Sequence, residues 1–243
     1  MFIPLHDANG LRHIKAPIVT RWLIAANLLI YLLMLPPGSA TLADHLTLLF
    51  GFIPALVSHQ AILPPALQGV PPEVTYVTYA FLHGGFMHVG MNMLFLFIFG
   101  DNVEDALGHW RFLLFYLACA AAGAFVHQIF ATDPEAPLVG ASGAISGVLI
   151  AYALLHPHVR IWVLVLFGIP LPLPAFIPLL FWVGQQFYEL VFGVSGDVSF
   201  AAHVGGIIAG ALLVLVLRRP GVPLFDQGLP TAPKENEKDD GTA

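Results

Sequence analysis

Along this chain apolar positions run together in long blocks instead of alternating with polar ones. Six blocks are long and apolar enough to cross a bilayer, for which about 20 helical residues are needed. They cover residues 19–35, 78–100, 111–131, 141–155, 174–192 and 199–217. The pattern predicts an all-α polytopic membrane protein with six transmembrane helices. Two further apolar runs, 46–57 ("LTLLFGFIPALV") and 161–169 ("IWVLVLFGI"), are too short to span and read as interfacial or re-entrant pieces. The proline run "GIPLPLPAFIP" (168–178) keeps the fifth block from joining the fourth into one helix, because proline lacks the N–H and clashes with the preceding turn. The organisation expected is a cytoplasmic segment 1–17, a six-helix core 18–219 and a polar, disordered cytoplasmic tail 220–243.

Composition sharpens this picture. Of 243 residues, 58% are hydrophobic and 10% charged, against about 25% charged in soluble domains. Mean hydropathy is +0.81. The basic residues then set orientation. Arg12, Lys15, Arg21, Arg111, Arg160, Arg218, Arg219, Lys234 and Lys238 all fall on one side if six spans are counted with the N-terminus inside. The outer loops 36–77, 132–140 and 193–198 hold none. That is the positive-inside pattern, and promoting either short run to a span would break it. The expected location is a multi-pass position in a bacterial inner (cell) membrane, both termini cytoplasmic, with no cleaved signal peptide. The net charge of -6 says little, since five of the fifteen acids lie after Pro220. No basic stripe suits nucleic acid. The single Cys119 excludes a disulfide framework.

Candidate chemistry lies within the apolar blocks. Counting upward from the cytoplasmic ends at about 1.5 Å per residue puts Ser142 at about 20 Å, His203 at about 21 Å, His88 at about 18 Å and Asn92 at about 12 Å. In hydrocarbon about 30 Å thick, a serine and a histidine thus share one level beneath the outer surface. Polar groups at that depth need partners or a water-filled cavity. His88 and Asn92, four apart, share a face of the second span. Gly206 and Gly210 share a face with His203, and Gly143 and Gly147 flank Ser142. Small residues at that spacing let helix backbones approach closely in lipid. The approach would bring Ser142 Oγ to a His203 ring nitrogen, expected at about 2.6–3.5 Å, an activated-nucleophile pair. The Ser142 backbone amide, at a helix head, and His88 and Asn92 would offer donors to an oxyanion.

At these residues the chain resembles the rhomboid family of intramembrane serine proteases. The matching pieces are "HGGFMHVGMN" (83–92), "GDNVED" (100–105), "GASG" (140–143) and "AHVGGIIAG" (202–210), in the family's order across roughly residues 18–219. The resemblance implies a six-helix rhomboid-like bundle and a Ser-His dyad without an aspartate, Ser142 the nucleophile and His203 the base. It implies an oxyanion hole lined by His88, Asn92 and the Ser142 amide. His83 and Gly140 would support the structure, with Gly143, Gly206 and Gly210 at the helix contact. The implied activity is serine endopeptidase cleavage of transmembrane segments, with no cofactor and no metal, and with transmembrane protein substrates and the lipid bilayer as partners. Two features depart from the family. The first outer loop has neither Trp nor Arg where many members pair them. Ser146 stands where an aromatic often stacks on the base, leaving either a less firmly held His203 or a hydrogen bond from Ser146 in its place.

Blander readings stand beside these. Ser142 alone is a good helix N-cap, and His203 could be a buried, backbone-bonded histidine. The spacing of five between His83 and His88 suits no single helical face for a metal, and no HExxH occurs. "GASGA" is not the G-x-S-x-G elbow, and the glycines at 140, 143 and 147 do not make G-x-G-x-x-G. Glu189 reads as a snorkelling acid. Glu104 and Asp105 are expected to start the turn before the third span, pairing with Arg111 or capping a helix. A catalytically inactive rhomboid-like protein that binds or chaperones membrane proteins is the alternative. Such relatives usually lack the serine or histidine. A small transporter is disfavoured because the two halves show no inverted repeat.

Overall fold

A computed structural model describes residues 2–35, 40–67, 70–165, 168–193 and 198–226. Among these the chain forms nine α-helices: α1 (Ile18–Leu33), α2 (Ala40–Phe50), α3 (Pro54–Val57), α4 (Thr75–Thr78), α5 (Phe86–Leu107), α6 (His109–Phe130), α7 (Ser142–Leu155), α8 (Phe176–Phe192) and α9 (Phe200–Leu217). Three strands, β1 (Ile3–Asp7), β2 (Arg160–Val165) and β3 (Ile169–Pro174), make one antiparallel sheet in the order β1-β2-β3. The six predicted spans correspond to α1, α5, α6, α7, α8 and α9. Of these, α5, α6 and α9 are long and apolar enough to cross a membrane by themselves, while α1, α7 and α8 are shorter apolar helices.

Contacts between connections agree with six crossings. The N-terminal strand pairs with the segment between α7 and α8. Backbone amides of Arg12, His13 and Ile14 donate to the Asp105 carboxylate at the end of α5. Arg12 also pairs with Asp226 after α9, at 2.9 Å. At the opposite end Phe52 and Leu138 form a two-way backbone bridge between the α2–α3 region and the loop entering α7. The N-terminus, the α5–α6 turn, the α7–α8 connection and the segment after α9 therefore share one end. The bundle is arranged as an even number of spans requires.

Several boundaries differ from the sequence expectation. The second block, expected over 78–100, is two pieces. A short helical stretch ends near Phe81, His83-Gly84-Gly85 interrupts it, and α5 runs on to Leu107. Glu104 and Asp105 therefore lie in the last turns of α5, not in the turn to α6, which is made at Gly108. The run 46–57, expected to be interfacial or re-entrant, divides between the end of α2 and α3. The run 161–169 contributes β2, and the proline run contributes β3. In β2 the alternation is that of a half-buried strand: Ile161 and Val163 are buried, Arg160 and Trp162 exposed. In β3 prolines occupy alternate positions 170, 172 and 174, leaving Ile169, Leu171 and Leu173 to supply amides to β2. The outer edge then offers no N–H donors to another chain. Residues 220–226, expected to begin the tail, are bound to α7, with Phe225 N and Asp226 N donating to Leu154 O and Leu155 O. The remainder of the expected tail, 227–243, lies outside the described residues.

Buried carboxylates tie together the end of the bundle that holds the N-terminal strand and the segment after α9. Glu104, fully buried, accepts from Val19 N, Thr20 N and Thr20 Oγ1 at 2.9, 2.8 and 2.7 Å. It thereby caps the start of α1, whose own N-cap residue Pro17 has no side chain able to do so. His109 Nδ1 approaches the same carboxylate at 2.5 Å. Asp7, on β1, accepts from Asn102 Nδ2 at 3.0 Å and from the Tyr152 hydroxyl at 2.8 Å, joining the sheet to α5 and α7. Burial raises its carboxyl above the ordinary range, and the Tyr152 hydrogen bond partly offsets that. Arg111, the partner expected for the acids, instead reaches Leu217 O at 3.4 Å.

The helices meet at small residues. Lipid supplies no hydrophobic force between spans, so association depends on close packing. A β-carbon at Gly206 would collide with the Gly143 carbonyl, and one at Gly210 would lie 2.5 Å from Gly147 Cα. One at Gly143 would meet the Tyr79 hydroxyl at 2.8 Å, itself donated to Ala120 O of α6. Helices α6, α7 and α9 thus pack backbone to backbone.

Two outcomes are expected in detergent-solubilised protein, read by thermal melting. Gly206→Ala destabilises by about 3 kcal/mol through overpacking, whereas Gly184→Ala, where a β-carbon meets nothing within 4 Å, changes little. Glu104→Ala costs about 3 kcal/mol, because three buried donors at the head of α1 lose a charged acceptor.

Candidate active site

The site is built where α7 begins. The loop before it is fixed at two places, by the Phe52–Leu138 bridge and by Gly140 N donating to Tyr79 O at 3.0 Å. Gly140 has φ +118, a conformation that side chains disfavour. A β-carbon there would also lie 2.5 Å from His88 Nε2. Glycine at this position therefore lets the chain turn into α7 directly against the His88 imidazole. Helix α7 has 14 residues, about 21 Å of length, too short for a hydrocarbon layer of about 30 Å. Its head lies inside the bilayer if its cytoplasmic end sits at the opposite boundary.

Ser142 is the first residue of α7. The helix has Ala141 as N-cap and no side-chain cap hydrogen bond, so Ser142 does not act as a cap. Its hydroxyl lies instead 2.9 Å from His203 Nε2. His203 stands in the first turn of α9, which is capped by Ser199: Ser199 Oγ accepts from Ala202 N at 3.1 Å and meets His127 Nδ1 at 2.7 Å. The glycine contact between α7 and α9 continues directly below the pair. His203 is buried, while Ser142 is partly exposed between buried Ala141 and Gly143. The nucleophile candidate is thus reachable and its partner sheltered.

His88 comes to the same place from α5, which carries Asn92 one turn further on. The His88 ring packs against the Gly140 backbone and lies 5.0 Å from the His83 ring, edge to face. Asn92 Nδ2 donates to His88 O at 3.0 Å, which uses one of its two amide hydrogens. His83 Nε2 lies 3.5 Å from Ala141 N, under the start of α7. The structure therefore gathers Ser142, His203, His88, His83 and Gly140 at the head of α7, with Gly143, Gly206 and Gly210 in the helix contact beneath and Asn92 one turn beyond His88 on α5. Starting the depth count for His88 at Gly100 misplaced the end of α5, yet the residue still reaches the head of α7. Among the described residues, no cluster of three or more His, Cys, Asp or Glu side chains is placed to hold a metal ion.

Two features were not legible beforehand. Ser146, in the place of the expected aromatic, donates back to Ser142 O at 2.6 Å and does not touch the base. His203 is instead held from α8. Gln186 Oε1 lies 2.7 Å from His203 Nδ1, and the Trp182 ring is 5.9 Å from the imidazole. Phe200 closes the other side at 6.3 Å. The signal for Gln186 was an uncharged polar residue inside an apolar helix, one turn after a tryptophan. Attention went to Glu189 on the same helix, which is only partly buried.

Comparison with known proteins agrees with this geometry. A family model described as "Rhomboid domain" matches residues 72–220, more than half of the chain. Rhomboid protein 1, mitochondrial, of Saccharomyces cerevisiae is 33% identical over 147 residues, covering 59% of this chain and 41% of that protein. Rhomboid protease GluP of Bacillus subtilis is 33% identical over 151 residues, covering 62% and 27%. Rhomboid-related protein 3 of Homo sapiens is 31% identical over 165 residues, covering 63% and 39%. The matched segment thus spans less than half the length of each of these relatives. A six-helix bundle with a serine and a histidine meeting on two glycine-faced helices, and a family match through that same core, lead to one conclusion: this integral membrane protein belongs to the rhomboid family.

Proposed function

We propose that the chain is an intramembrane serine endopeptidase that cleaves transmembrane segments of membrane proteins, with Ser142 as nucleophile and His203 as general base. The observation that carries this reading is the 2.9 Å separation of Ser142 Oγ and His203 Nε2 at the head of a helix within the bundle. Neutral imidazole takes the hydroxyl proton as Oγ attacks the scissile carbonyl. The same proton passes to the leaving amine, and water hydrolyses the acyl-enzyme. The carbonyl oxygen becomes an anion during attack. The first amides of α7 have no partner within the helix and carry its positive dipole end. The remaining Asn92 amide hydrogen and the His88 ring supply further donors. A substrate helix must unwind locally, because intact helical carbonyls are hydrogen-bonded and shielded.

The Bacillus subtilis relative is named a protease and an Emericella nidulans relative a serine protease, which supports the chemistry. Relatives named as mitochondrial share the same core. Family membership therefore places the chain in a bilayer without selecting the bacterial inner membrane expected from the sequence. The rival reading, an inactive rhomboid-like binding protein, is less favoured, because such relatives usually lack the serine or histidine and here both are present in hydrogen-bond contact.

The decisive test is cleavage of a labelled transmembrane substrate in proteoliposomes. Wild type cuts it, and Ser142→Ala and His203→Ala each lose about 1,000-fold or more in rate. Equal cleavage by all three removes the assignment. Asn92→Ala lowers kcat by about 100-fold with a smaller change in KM, the pattern for a donor used only in the transition state.

A further inference from the structure

We propose that Gln186 is the positioning residue for His203, fixing the tautomer and ring orientation of the base and making α8 a fourth element of the site beside α5, α7 and α9. The inference deepens the protease reading and rests on it for the roles of Ser142 and His203. The hydrogen-bond chain fixes its own direction. Gln186 Nε2 lies 3.2 Å from Trp182 O. A carbonyl oxygen only accepts, so the amide end facing it is the NH2 group. The other end, Oε1, then faces His203 Nδ1 at 2.7 Å. Two acceptors cannot bond, so Nδ1 carries the hydrogen. In neutral imidazole that leaves the lone pair on Nε2, the nitrogen 2.9 Å from Ser142 Oγ. The side chain that receives the serine proton is therefore held ready by a residue on a different helix.

The surroundings favour this role. Gln186 is 3% exposed, so water does not compete for Nδ1. The Trp182 ring lies beside the same imidazole, so one face of α8 both packs and hydrogen-bonds the base. When His203 takes the serine proton, the positive charge is shared with Nδ1, and the Gln186 carbonyl dipole points at it. A carboxylate would do this more strongly but would be costly to desolvate in an apolar helix, which a neutral amide avoids. Gln186 also supplies what Ser146 does not: Ser146 turns its hydroxyl away, to Ser142 O.

The test has two arms. In nitrogen-15 spectra of histidine-labelled protein at neutral pH, with His203 assigned by difference from His203→Ala, wild type shows a protonated Nδ1 and a bare Nε2. Gln186→Leu, close in size but without an acceptor, shifts His203 toward a mixture of tautomers. In proteoliposome cleavage, Gln186→Leu lowers kcat by about 10- to 100-fold with KM little changed. Gln186→Glu, which keeps an acceptor at that reach, recovers kcat to within about tenfold of wild type. A bare Nδ1 in wild type overturns the proposal whether or not any variant folds. So does Gln186→Leu with wild-type kcat and an unchanged nitrogen pattern. Loss of activity in Ser142→Ala alongside either result leaves the protease reading standing while this inference falls. A protein that shows the Nδ1 hydrogen but cleaves nothing fails on the protease reading alone.

Discussion

Everything at the head of α7 depends on how closely two backbones approach. Gly206 lies against the Gly143 carbonyl, and Gly210 against Gly147. No side chain separates α7 from α9 there, so the first residue of one helix and the first turn of the other are brought to hydrogen-bond distance. In lipid this approach cannot be driven by expelling water, and it is the packing itself that stabilises it. One methyl group in that contact would press α7 and α9 apart, and Ser142 and His203 with them. The pair thus inherits its geometry from residues that do no chemistry.

The end of the bundle that holds the N-terminal strand serves the same purpose by different means. There the joining groups are buried carboxylates: Glu104 at the head of α1, Asp105 at the turn before it and Asp7 between the sheet and two helices. Each accepts two or more hydrogen bonds, which offset at least part of the cost of burying it. The small sheet links the N-terminal strand to the connection leading into α8. Helix α8 otherwise packs less extensively than its neighbours, and at its other face it carries Trp182 and Gln186 to the base. The sheet at one end and the imidazole contact within the bundle are what locate it.

Much of this was readable from residue order. The six blocks and the shared level of Ser142 and His203 follow from run length and a constant helical rise. Those are local properties, and each block reports its own. What escaped depends on partners distant in sequence. For Glu104 a helix cap was one of two expected roles, but nothing local shows that the helix it caps begins 86 residues earlier. The run 161–169 looked interfacial because its strand partners lie at residues 3–7 and 169–174. Gln186 is inconspicuous in the sequence because its partner is a histidine 17 residues away on another helix. Ser146 was correctly noticed as an exception, but its direction could not be read: a serine in mid-helix either bonds back along its own helix or reaches across.

The central claim is that α7 and α9 hold a hydroxyl and an imidazole together as a reactive pair. Its most direct measurement needs no substrate. Membranes carrying the protein are treated with a fluorophosphonate probe, and the adduct is located by peptide mass spectrometry. The account predicts phosphonylation of Ser142 in wild type and its near-complete loss in His203→Ala. An unmodified Ser142, or equal modification with and without His203, would contradict it.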